Sequence, residues 1–122
     1  MAGREKLVIM ATHGPEHPEL ATIPFVMGCA GLASEVDVVI GLQGDAVHIA
    51  RGGEAERVHA AEFPPLAGLL GDFRELGGRL LVCGPSAKGR GIVPEDLVGD
   101  AEVVGAGRFI AEIASATNSL VY

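Results

Sequence analysis

At 122 residues, 48% hydrophobic and 20% charged, the chain suffices for one domain with its own core and needs no metal or disulfide staple. Nine basic residues against sixteen acidic ones give a net charge of -7, with one Tyr, four Phe and no Trp. Such a surface repels phosphate backbones and offers little for bases to stack on, which excludes nucleic acid as a partner.

Only five apolar residues follow Arg4, Glu5 and Lys6 before Thr12, too few for a signal-peptide core. They read instead as a buried strand, Lys6 to Ala11, closed by the loop "THGPEHP". Pro18 suits a helix first turn, with Glu16 and Glu19 near the positive end of its dipole. The helix, running to about Ala33, is apolar nearly all round and should be buried on several sides. Pro24 should kink it or move its start towards Thr22. Interrupted by Thr22, Pro24, Gly28 and Gly31, the apolar stretch Leu20 to Ala33 falls short of a membrane span. Two cysteines without a signal point to reduced thiols, so a cytoplasmic protein with no membrane partner is expected.

Val36 to Leu42 is a second strand, β-branched on both faces as a central parallel strand would be. Residues 45–51 fit a strand or a short helix; Asp45 as N-cap and Gly52–Gly53 as a stop favour the helix. Residues 53–62 read as an exposed loop. Pro65 to Leu76 is a helix with Leu66, Leu69, Leu70, Phe73 and Leu76 on one face, stopped by Gly77–Gly78. Arg79 to Cys83 is the third strand, residues 102–104 a short fourth, Gly107 to Ala116 a helix and Ser119 to Tyr122 a last strand. The alternation predicts a single α/β domain over residues 1–122, an open and mostly parallel sheet of about five strands.

In such sheets ligands bind at the carboxyl ends of the strands. That rule gathers "THGPEH", "GLQGDA", "CGPSAKGRG" and "GAG" on one rim, with Cys83 at the end of its strand. A turn or helix N-terminus after it would aim N–H groups at the sulfur, and Lys88 and Arg90 add positive charge, which favours a nucleophilic thiol. A free cysteine is otherwise a small buried hydrophobe, and Cys29, between Gly28 and Ala30 in an apolar helix, reads so. His13 is a candidate proton shuttle to Cys83. A metal site from His13, His17 and Cys83 is weakly signalled by spacing, so no metal or cofactor is expected. His48 and His59 read as surface residues and Asp45 as an N-cap. Ser86 stands where a second cysteine would complete C-x-x-C, which excludes a local dithiol; phosphate-loop, nucleophile-elbow and dinucleotide fingerprints are absent.

"ATHGPEHPELATIPFVMGCAGLA", "GLQGDAVHIA", "FPPLAGLLGDFRELGGRLLVCGPSAKGRGI" and "VVGAGRFIAEIASATNSLVY" together resemble the DsrE/DsrF-like family over nearly the whole chain. The most telling part is Leu81 to Ile92: an apolar strand, Cys83–Gly84, a polar residue at 86, then Arg90–Gly91. The resemblance implies a three-layer α/β/α fold and a homo-oligomer, a trimer or hexamer. It also implies a sulfur carrier or sulfurtransferase holding a persulfide on the cysteine that matches Cys83, with protein sulfur donors and acceptors. Gly84, Ser86, Lys88, Arg90 and His13 would support it. The glycine-rich segment after the cysteine is shorter than in the characterised relay proteins. A non-catalytic oligomeric module, binding a small ligand at the rim, is the alternative.

Overall fold

In the computed structural model, which describes residues 4–122, the first apolar run is β1 (Lys6–Ala11) and the apolar helix is α1 (Pro18–Ala33). The chain continues through β2 (Asp37–Leu42), α2 (Leu66–Glu75), β3 (Arg79–Cys83), α3 (Gly84–Gly89), β4 (Glu102–Val104), α4 (Ala106–Ala114) and β5 (Asn118–Val121). The strands lie in the order β4-β3-β2-β1-β5 and every pair is parallel, so the sheet is fully rather than mostly parallel.

Alternation along the strands divides the core in two. Ile9, Val38, Ile40, Leu42, Leu80 and Val82 face the layer of α1 and α2, where Phe25 meets Phe73 edge to face with centroids 5.7 Å apart. Such a ring pair adds about 0.5–1.5 kcal/mol to the burial itself. Val8, Met10, Val39 and Leu81 face the other way, onto Phe109 of α4. This is the expected three-layer α/β/α arrangement.

Three local readings change and one open choice is settled. α1 runs unbroken from Pro18 with Pro24 buried inside it, because packing between sheet and α2 outweighs the lost N–H. Residues Gly44–Ala50 form a 3-10 helix whose Ala46, Val47, Ile49 and Ala50 are buried, which settles the strand-or-helix ambiguity in favour of a helix. The stretch 53–62 is not simply an exposed loop: it holds a 3-10 turn, Ala55–Arg57, and buries Ala55, Val58 and Ala60. Leu76 leaves the buried face of α2 and is 54% exposed, since the helix ends at Glu75 before the turn at Gly77.

At the amino ends of the strands sits a charge cluster. The Glu112 carboxylate of α4 is nearly buried and receives Lys6 Nζ of β1 at 2.7 Å, Arg79 of β3 at 3.1 Å and Arg108 Nε at 2.8 Å. Burial pushes its pKa up, but the hydrogen bonds from Lys6, Arg108 and Arg79 outweigh this and hold it at about 2. The cluster ties α4 to both β1 and β3.

Candidate functional site

Because all five strands run the same way, the loops after β1, β2, β3 and β4 emerge at one rim. Cys83 is the last residue of β3 and the N-cap of α3. It is half-buried, touches both apolar clusters, and its thiol makes no capping hydrogen bond. Pro85 in the first turn of α3 carries no N–H, so that turn does not present a continuous row of donors from Gly84 to Ala87.

Three loops are tied together around this position. Gly44 opens the 3-10 helix with φ +56°, a left-handed conformation that suits glycine, and its N–H donates to Ser86 Oγ at 3.1 Å. Arg90 spans the same gap: Nη2 and Nε reach Asp45 Oδ1 at 3.0 and 3.1 Å, and Nη1 donates to Ser86 O at 3.2 Å. Asp45 therefore pairs with Arg90 and does not cap; the N-cap of the 3-10 helix is Gln43, without a side-chain bond. On the other side, Gly14 packs so closely on the Asp45 carbonyl that a Cβ would overlap it.

Ser86 and Arg90 thus position α3. The Ser86 hydroxyl accepts from Gly44, which leaves its own proton free to donate. Lys88 enters no salt bridge among the described residues and, with Gly84, lines a cavity beside α3. His13 Nδ1 lies 3.2 Å from Thr12 Oγ1, and that hydroxyl donates to Tyr122 O at 2.8 Å. His13 is then the donor at Nδ1, and Nε2 of the neutral ring is left as an acceptor. β2 stands between β1 and β3, so their ends are about 9–10 Å apart at the usual strand spacing. No hydrogen bond joins His13 to Cys83 among the described residues; its ring contacts are Thr12 and His17.

His17 caps α1, its Nδ1 accepting from Leu20 N at 3.4 Å, and its ring meets His13 edge-on. Among the described residues no group of three or more His, Cys, Asp or Glu side chains is placed to hold a metal ion, so His13, His17 and Cys83 form no such site. His48 lies on the wall of a polar pocket with Glu16, Asp45 and Arg51, and His59 Nε2 lies 2.9 Å from Phe63 O. Cys29 packs between α1 and α2, its Sγ donating to Leu69 O at 3.5 Å. Burial, and then the charge of Asp72, push its thiol pKa up, which disfavours the thiolate. Among the described residues no helix is long and apolar enough to cross a membrane.

A sequence model of the DsrE/DsrF-like family matches residues 5–122. The uncharacterized protein MJ0760 of Methanocaldococcus jannaschii is 33% identical over 106 residues, 87% of this chain, which spans only 38% of that protein's length. The uncharacterized protein MJ0989 of the same organism is 27% identical over 117 residues, 96% of this chain and 99% of that one. Among solved structures, the ychN protein from E. coli superposes with a TM-score of 0.82 at 22% identity, over 97% of this chain and 99% of that one. MTH1491 of Methanobacterium thermoautotrophicum, a protein of unknown function, gives 0.72 at 16% identity, over 97% and 99% of the two chains. These superpositions establish the shared fold.

Proposed function

The chain belongs to the DsrE/DsrF-like family, and on that premise we propose that it carries sulfane sulfur as a persulfide on Cys83. The observation that carries the reading is the thiol's place: the end of β3, half-exposed on the rim, with its sulfur uncommitted to a capping bond. In loading, the Cys83 thiolate attacks the outer sulfur of a donor persulfide or polysulfide. The donor's S–S bond breaks, the donor leaves as a thiolate, and a new S–S bond forms at Cys83 Sγ. In unloading, an acceptor thiolate attacks that outer sulfur and Cys83 departs as thiolate. Sulfur moves at constant oxidation state, so neither step needs an oxidant or a metal.

Each neighbour has a role in this reading. N–H groups of Gly84 and Ser86, and the free proton of the Ser86 hydroxyl, stabilise the anion, and Lys88 adds positive charge. Arg90 acts through Asp45, holding α3 and with it Cys83. His13 Nε2 takes a proton from an incoming thiol that bridges the gap between strand ends. Donor and acceptor are thiol proteins or small persulfides that meet the rim. The protein works as a homo-oligomer, a trimer or hexamer: Met27 on α1, Ile110 on α4 and Val121 on β5 are 40%, 64% and 72% exposed, apolar surface for a second copy to cover.

The test is the intact mass after incubation with polysulfide. Wild type and Cys29→Ser should gain the mass of a sulfur atom that reductant removes, and Cys83→Ser should gain none. A wild type that stays unmodified would leave the cysteine incidental and return the chain to the ligand-binding alternative.

A further inference from the structure

A cavity of about 440 Å³ lies beside Cys83, in the range of about 300–1,000 Å³ usual for small-molecule sites. Its making is local. After α3 the chain reverses at Gly91, and Ile92 N donates back to Ala87 O at 2.9 Å, which buries both residues as a floor. Asp96 Oδ2 accepts from Val93 N and holds the next turn, bringing Leu97 to a wall. β4 closes the far side with Val103, and Gly84 forms the end next to Cys83. Val93 and Val103 keep 48% and 44% of their surface open to water at the mouth.

All the lining side chains are apolar except that of Lys88. Arg90, two residues on, is matched by Asp45, whereas Lys88 enters no salt bridge among the described residues. The chain's net charge of -7 works against anions in general, so the preference is local: among the described residues Lys88 is the one charged residue of an otherwise apolar lining, which favours an anion over a cationic guest there. We propose that this cavity binds a small amphipathic anion, its apolar body on Ala87, Ile92, Leu97 and Val103 and its charged end on Lys88. The site does not depend on sulfur transfer at Cys83, although a guest there would lie against the residue next to it.

Octanoate is a direct probe, with octyltrimethylammonium as the cationic match. In heteronuclear NMR of the full chain, octanoate should shift the amides of Ala87, Ile92 and Leu97 saturably, and the ammonium should not. Lys88→Glu, a change at an exposed position, should weaken octanoate binding by about fivefold or more while leaving the rest of the spectrum in place. The proposal is overturned by equal binding of both probes, or by shifts centred on Ile110 and Val121. It is also overturned if the cavity amides respond to protein concentration and not to octanoate, which would assign the cavity to a second copy. No sulfur donor is present, so failure of the persulfide reading would leave these outcomes unchanged.

Discussion

Replacing Glu112 by Gln removes the charge that Lys6, Arg79 and Arg108 converge on. Folding lowers the carboxyl pKa to about 2 from an ordinary value of 4.5. At about 1.4 kcal/mol per pKa unit, that difference sets a ceiling of about 3–4 kcal/mol. Arg79 and Arg108 are 48% and 37% exposed, so solvent screening reduces it, and about 1–3 kcal/mol at pH 7 is expected. Because the pKa is depressed on folding, the contribution is present above the unfolded-chain value and is lost as pH falls through about 2. Urea unfolding of wild type and Glu112→Gln, from pH 7 down to pH 2, should therefore show a gap that is constant near neutrality and closes in acid. A variant as stable as wild type at pH 7, or a gap that ignores pH, would refute the reasoning.

Gly14→Ala should destabilise the fold by about 1–3 kcal/mol, because the new Cβ overlaps the Asp45 carbonyl and must push the loop after β1 away from the 3-10 helix; a thermal melt would show it, and an unchanged melt would mean that the rim loops are not locked together. Iodoacetamide at neutral pH should label Cys83 well before Cys29, whose thiolate is disfavoured by burial and Asp72 and whose Sγ is bonded to Leu69 O, and peptide mapping would reveal any reversal. Light scattering at micromolar concentration should give a mass of a trimer or hexamer, and a 12.5 kDa monomer would defeat that expectation.

Much of the fold is legible in the sequence because the elements are strongly marked. β1 and β3 are continuous apolar runs closed by Gly, Pro and His, and their observed bounds are the expected ones. Tertiary packing overrides the local signal at Pro24, which local rules treat as a break and the buried helix absorbs. Cys83 at a strand end is readable from the apolar run before it and the glycines after it. The work of Ser86, Arg90 and Asp45 is not, since the bonds Gly44–Ser86 and Arg90–Asp45 join segments more than forty residues apart. The Glu112 cluster is hidden in the sequence for the same reason: only Arg108 lies within a helical turn of it, while Lys6 and Arg79 arrive through the sheet. Gly14 and Gly44 look like ordinary turn glycines until the close approach and the positive φ are known.

The persulfide on Cys83 is most directly tested by cyanolysis of loaded, desalted protein, because cyanide removes only the outer sulfur and leaves as thiocyanate. Wild type and Cys29→Ser should each release about one thiocyanate per chain and regain a free thiol at Cys83, while Cys83→Ser releases none. Equal release from Cys83→Ser, or none from wild type, would contradict the account.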